Sequence, residues 1–469
     1  MTISGSGRWL GLLAAAALLV SCADDPAGPD PNPLPDPVFM GSSVAPGPAN
    51  VLSAVITVNA TGFDAASVRM RTPGEPDLLS PPYAFDADVA RPAALGMLAD
   101  KTYEIDVLVT VSGVTELGET LSFVTGTLPT WLPTVTPVGT PAEEGYILLA
   151  HPPGGVIIDN DGRIRWYVGD PDGSLFGVLS SFKSHPNGEY TLSGIADHLK
   201  IHRKLNELGE ETGTLGCVGR DTRFHEIRVL ADGGYWVACD FVVAADLSSR
   251  GGNATGEVTW TVLQHIGADG SLEFEFNTAD HFSLDDIDQS VFVGVSQVNI
   301  THGNSIEIDT DGNVLMSWRS LNEVTKIDVT TGDVIWRLGG IASQFTVIDD
   351  TRAFERPHGV RVVGPGLIQL FDNGTVAPSR LVRYSLDEQS MVATRVLEFI
   401  TTEGSFTFTG GSTEVVGTDG ALVSFGTEGK VVEVNAAGVE TFDLTGLDGL
   451  YIFRASRIPS LYASERVGG

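Results

Sequence analysis

Three observations predict an all-β chain, with an N-terminal β-sandwich of immunoglobulin-like or fibronectin-like type followed by a six-bladed β-propeller. Short runs alternate apolar and polar residues at the two-residue period of a half-buried strand. Turn pairs recur between those runs: Asp161-Gly162, Asn187-Gly188, Asp232-Gly233, Asp269-Gly270, Asp311-Gly312, Thr331-Gly332, Asp419-Gly420 and Ala437-Gly438. Hairpins taken two at a time make four-stranded units of the size of one propeller blade. The final strand-like stretch, FRASRIPSLY, can pair with the first strands of the series, as a closed ring requires.

The elements follow in order. Residues 1–22 read as a targeting segment: Arg8 precedes an apolar run from Leu10 to Val20, short for a bilayer span, which ends in Leu19-Val20-Ser21-Cys22. This end is similar to a bacterial lipoprotein signal, in which the cysteine becomes the lipidated N-terminus; an ordinary secretory signal is the alternative. Either reading exports the chain, and the first places it in the cell envelope, lipid-anchored at Cys22. Residues 23–37 are rich in proline and aspartate and read as an extended tether. Residues 38–129 carry the alternating runs VLSAVITVNA, SVRMRT, TYEIDVLVTVSG and ETLSFVTG, the pattern of the sandwich. Residues 130–141, with three prolines, read as a linker, and residues 142–469 as the propeller. Its units are 182–210, 224–276, 302–338, 358–400 and 412–444, with half units at 146–168 and 451–462. The count is six, and the ragged unit at 182–210 leaves five or seven open.

Charge narrows the partners. With 60 acidic against 28 basic residues the formal charge is −32, which argues against nucleic acid and anionic headgroups. An anion site in such a chain must be a local cluster of Arg and His. Besides Cys22 there are two cysteines, Cys217 and Cys239, with His225 between them; in an oxidising compartment they read as one disulfide or as two thiols on neighbouring strands. No cofactor is implied, and no Cys/His quartet suggests zinc.

The first strand of each blade lines a propeller's axis, so residues at blade starts converge on one mouth. His225, His302 and His358 each stand at such a start, the last two followed by glycine. Of the other histidines, His151, His198, His202, His265 and His281 sit in turn or outer-strand contexts that suit a structural role, while His185, before a turn, is ambiguous. Arg319 ends the strand after the His302 strand, where a hairpin returns it to the same edge. An arginine beside histidines opposes a metal ion and favours an oxyanion. Asn304, two residues after His302 and so on the same face, adds a donor for substrate. The chain has no GxSxG elbow, no GxxxxGK[ST] loop and no HExxH.

These residues also carry a resemblance. HGNSI at 302–306, SWR ending at Arg319, TGDVIWRLGG at 331–340, PHG at 357–359, FDN at 371–373, Ser379-Arg380 and the closing RASRIP make the chain from about 140 to 465 similar to the bacterial arylsulfotransferase family. The resemblance implies a six-bladed propeller with a small N-terminal β-domain. It implies transfer of a sulfuryl group from an aryl sulfate to a phenol without a nucleotide donor, by a ping-pong cycle. It makes His358 the nucleophile that becomes a sulfohistidine, with His225, His302, Asn304 and Arg319 around the sulfuryl oxygens. Pro357 departs from the family pattern, which has Gln before this histidine. The other readings are a non-catalytic envelope scaffold and, from the recurrent Trp166, Trp260, Trp318 and Trp336, a quinoprotein dehydrogenase, whose docking repeat and carboxylate set have no place in this sequence.

Overall fold

The computed structural model describes residues 36–169, 178–196 and 199–466. The targeting segment, Cys22, the tether except its last two residues, and His198 lie outside the described residues.

Six sheets follow one another from Tyr146 on, antiparallel but for the short strands Gln297–Asn299 and Thr346–Ile348, each of which adds one parallel pair. Blade 1 holds Tyr146–His151, Gly154–Asp159 and Ile164–Gly169, and blades 2 to 6 open on Val178–Ser184, Asp221–Val229, Gly303–Ile308, His358–Gly364 and Ser412–Val416. Each opening strand touches that of the next blade, and Ala455–Ile458 lies beside both Ser412–Val416 and Val178–Ser184 to close the ring. That last strand pairs with Tyr146–His151 in the register Leu149↔Ala455, so blade 1 joins the two ends of the propeller. The count is six, and the unit that looked ragged in sequence is a four-stranded sheet ending at Glu211–Leu215.

Two expectations change. Thr136–Gly139, read as linker, pairs with Glu440–Thr445 as the outermost strand of blade 6 and makes a second clasp on the ring. Pro137 is compatible with this because an outermost strand has one edge without ladder partners. Strict alternation also gives way inside the blades: Gly154–Asp159, Val314–Trp318 and Gly420–Phe425 are buried along their whole length. Blades stack face to face, so a middle strand is covered on both sides. Alternation survives in outer strands such as Glu440–Thr445. The four tryptophans fill the blade cores; Trp166 donates its indole N–H to the Glu207 carbonyl and Trp318 to Thr325 Oγ1.

Ahead of the propeller, two antiparallel sheets, one on Ala54–Thr61 and one on Ala65–Arg71 with Thr102–Val111, share a core of Ile56, Val58, Val68, Met70, Ile105 and Val107.

The axis is ionic. Glu226 of blade 3 is fully enclosed and meets Lys183 of blade 2 at 2.5 Å, Arg454 beside blade 1 at 2.8 Å and Arg361 of blade 5 at 3.1 Å. The Ile306 N–H of blade 4 donates to its other oxygen at 3.2 Å, and Arg361 reaches on to Glu414 of blade 6 at 3.0 Å. Burial pushes the Glu226 carboxyl up, but Arg361, Arg454 and Lys183 together outweigh it and hold the group well below the usual carboxylate range. Burial likewise pulls Lys183 down to about 7 against the attraction of Glu226. Removing one partner of a buried ion network leaves the rest uncompensated. Glu226→Ala is therefore expected to cost about 3–5 kcal/mol of stability, read as a lower urea midpoint for the propeller transition.

Candidate active site

Three backbone irregularities at blade starts aim the chemistry. In blade 3 the ladder jumps from Thr222↔Cys239 to Ile227↔Val237, leaving Arg223 to Glu226 out of register on the inner strand. In blade 4, His302 takes φ +49° and its N–H is held by Asn299 Oδ1 at 2.9 Å. In blade 5 the register shifts between His358 and Arg361. Such bulges redirect side chains that a regular strand would point along the pleat. The glycines after the two histidines are spatial requirements: a Cβ on Gly303 would lie 2.9 Å from the Trp318 ring, and Gly359 has φ +56° with Thr413 N 3.0 Å from a Cβ position.

The three blade-start histidines meet as expected. His225 and His302 lie edge to face with ring centroids 4.8 Å apart. The Phe453 ring stands between His225, at 6.2 Å, and His358, at 6.1 Å. Arg319 is half-buried beside them; its backbone N–H bonds the His302 carbonyl at 3.2 Å, and its charge helps to lower both His302 and His358.

His358 is the most constrained of the three. Its Nδ1 lies 3.0 Å from the Arg356 carbonyl and 2.6 Å from Asn373 Oδ1. The orientation of Asn373 follows from its other end, where Nδ2 donates to the Thr407 and Gly410 carbonyls, both at 2.8 Å. Both neighbours of Nδ1 are thus acceptors, so Nδ1 carries the proton. Nε2 keeps a lone pair and makes no hydrogen bond among the described residues. Burial first, then the Arg319 charge, lowers the His358 pKa to about 3 against the raising effect of its two acceptors. His225 and His302 are also held well below 6.5, by burial first and by neighbouring positive groups second. All three rings are neutral bases near pH 7, and His225 Nδ1 is buried with no partner among the described residues.

Asn304 takes a different place from the substrate donor expected of it. Its Nδ2 donates to the Pro357 carbonyl at 2.8 Å and its Oδ1 accepts from Ser317 Oγ at 2.5 Å, so the side chain is enclosed and grips the turn into His358. This contact needs only a carbonyl at 357, which proline supplies.

The sequence reading missed three residues. Asn373 stands in the FDN motif with no role given to it. Arg223 lies two positions before His225 in the same out-of-register stretch, and it pairs with Asp240, which also holds Lys200. Phe453 precedes RASRIP and comes from the opposite end of the chain. The cysteines form one disulfide, Cα atoms 6.0 Å apart, which ties the segment leading into Arg223 and His225 to the strand that bears Asp240.

The remaining described histidines are structural, although less solvated than their contexts suggested. His202 is fully buried between Ser193 Oγ and the Arg223 carbonyl, and His185 bonds Thr191 Oγ1. His151 is buried beside Trp131, whereas His265 and His281 stack on Trp236 and Phe276.

Residues 216–446 match the model of the arylsulfotransferase (ASST) family, the stretch that holds all five site residues expected from the sequence. No curated protein matches the chain. Among solved structures, a protein of unknown function from Bacteroides caccae is 14% identical, with 66% of this chain and 97% of that one covered and a TM-score of 0.40. A periplasmic gluconolactonase of Pseudomonas aeruginosa is 10% identical, with 68% and 100% covered and a TM-score of 0.38. Virginiamycin B lyase from Staphylococcus aureus is 11% identical, with 66% and 87% covered and a TM-score of 0.32.

Two measurements check the electrostatics. In ¹⁵N-histidine spectra, His358 should remain the Nδ1–H tautomer and neutral from pH 8 to pH 5, and Asn373→Ala should introduce the other tautomer. Because the folded-state pKa values of His185, His202, His225, His302 and His358 are all lowered, the unfolded chain takes protons that the folded one refuses as pH falls. The stability of neutral histidines is therefore fully present above about 6.5 and is lost progressively below it, visible as a urea midpoint that drops between pH 7 and pH 4.

Proposed function

The chain carries an arylsulfotransferase family domain over residues 216–446, and from that premise we propose that it moves a sulfuryl group from an aryl sulfate to a phenolic acceptor through a covalent intermediate on His358. The observation that carries this reading is the forced tautomer: two acceptors hold the proton on Nδ1, which leaves Nε2 as a neutral nucleophile. In the first half reaction Nε2 forms a bond to sulfur as the bond from sulfur to the aryl oxygen breaks, and the aryl group leaves as a phenolate. In the second, the acceptor oxygen attacks sulfur and the N–S bond breaks. The acceptor's proton passes to a neutral imidazole, His302 or His225, both of which are depressed enough to be free bases at pH 7. Arg319 and Arg223 supply fixed positive charge where the sulfuryl oxygens gather negative charge. Asn373 and Asn304 act through His358, one by orienting the ring and the other by holding the turn that carries it.

The charge arrangement supports an anion and not a cation as the guest, because Arg319 and Arg223 border the histidines. The Cys217–Cys239 bridge supports an oxidising compartment, in keeping with export and a lipid anchor at Cys22. Phenols and aryl sulfates are the partners; the chain's −32 charge leaves nucleic acid out.

The test is release of 4-nitrophenol from 4-nitrophenyl sulfate with and without phenol. Acceptor-dependent release is expected, with ping-pong kinetics, and His358→Ala should abolish it in a folded protein. Arg319→Gln should lose about a hundredfold in kcat, the usual effect of removing one preorganised donor. Release that ignores phenol would mean hydrolysis, and release that survives His358→Ala would overturn the assignment.

A further inference from the structure

Beside the histidine cluster, and sharing only Arg319 with it, lies a polar cavity of about 440 Å³ between blades 4 and 5 and the segment that joins blades 3 and 4. Its second cation, Arg356, has no role in the reading above through its side chain. In a chain where most arginines meet a carboxylate, neither Arg319 nor Arg356 forms an ion pair among the described residues. Among the described residues Arg319 makes one long hydrogen bond, to the Phe408 carbonyl at 3.4 Å, and Arg356 Nη1 is buried with no partner. Both guanidinium groups lie over the ring of Phe408, at 5.5 and 4.3 Å from its centroid, so two like charges are held close together. Burial and the charge of Arg356 both lower the pKa of Arg319.

Of the three amides that line the cavity, Gln297 gives its NH₂ to Glu257, and the other two are turned the same way. Asn299 spends its carbonyl oxygen on the His302 N–H and Asn322 spends its own on the Arg356 N–H at 2.8 Å, so each has only its NH₂ left to offer the cavity. Two carboxylates also line the cavity and are held by neutral donors: Glu355 Oε2 accepts from the Thr375 N–H and hydroxyl, and Asp288 Oδ1 accepts from the Ser290 N–H. Two unpaired guanidinium groups and two donor-only amides around one polar cavity make a complement for an oxyanion.

We propose that this cavity seats a second anionic group, a carboxylate or sulfate ester, carried on the aromatic ring whose first sulfate is presented to His358. The inference rests on the aryl sulfate reading and adds a substrate class to it: the preferred aryl sulfates are dianionic. The second anion would neutralise the Arg319–Arg356 repulsion and orient the ring, a selection by charge in a protein whose net charge is −32.

The test is calorimetric binding to the full-length His358→Ala protein, in which no donor can turn over, with phenyl sulfate, 3- and 4-carboxyphenyl sulfate, and benzoate or sulfate ion alone. At least one carboxylated sulfate should bind about tenfold tighter than phenyl sulfate. Adding Arg356→Gln should erase that gain. Adding Asn322→Asp should also erase it while keeping the oxygen that accepts the Arg356 N–H, so this variant answers the question if the other fails to fold. Equal binding of phenyl and carboxyphenyl sulfates would overturn the second site and leave the aryl sulfate reading standing. A gain that survives both variants, or benzoate or sulfate alone binding as tightly as the carboxylated sulfates, would likewise overturn it. No binding of any aryl sulfate to the folded protein would remove the functional reading and this proposal with it.

Discussion

Glu226 and the cations that converge on it set the terms for the rest of the molecule. Lys183, Arg361 and Arg454 reach the same carboxylate from three other blades. Each of these groups would be expensive to bury alone, and each is tolerable only when the blades stand at the right distance from one axis. Apolar packing between blades is permissive about their rotation. A shared carboxylate is not, because hydrogen-bond lengths fix the approach to within tenths of an ångström. The axis therefore acts as a positional reference, and it lies immediately below the site: Glu226 is the neighbour of His225, Arg361 follows three residues after His358, and Arg454 follows Phe453.

Above that reference, the site is made by departures from regular strand. The register jumps in blades 3 and 5, with the positive φ of His302 at the start of blade 4, lift three imidazoles off the pleat and toward one point. The consequence is chemical as well as geometric. Enclosure removes the protonated forms of the rings, while Asn373 and the Arg356 carbonyl decide which nitrogen of His358 keeps its proton. Burial and the Arg319 charge keep the His358 ring neutral at neutral pH, and the two acceptors fix which nitrogen is free. The fixed cations that border it favour a negatively charged guest, and Arg319 stands both beside the histidines and in the lining of the polar cavity.

Much of this was legible in the chain. The turn pairs mark the hairpins because a two-residue reversal needs positive φ, which glycine supplies in seven of the eight pairs; in Asp419-Gly420 the aspartate takes it, with φ +57°. The blade-start positions of His225, His302 and His358 predicted their convergence, since topology alone brings opening strands to the axis. Asn304 does not share a face with His302, because the backbone at His302 and the register between Gly303 and Ser305 are irregular, and another blade's carbonyl takes its side chain, none of which strand periodicity shows. The linker at 130–141 concealed a strand for a similar reason: Thr136–Gly139 finds its partner some 300 residues later, at Glu440–Thr445.

Sequence by itself determined most of the elements and the placing of three imidazoles at blade starts, because these depend on local periodicity, turn chemistry and residue type. The tertiary structure alone decided which nitrogen of His358 is free, that Asn304 looks inward, that Arg223 and Phe453 join the cluster and that Arg356 stands unpaired beside Arg319. Those outcomes depend on distances between side chains far apart in the chain, and on the withdrawal of water from groups whose charge and tautomer follow from what remains within hydrogen-bonding reach.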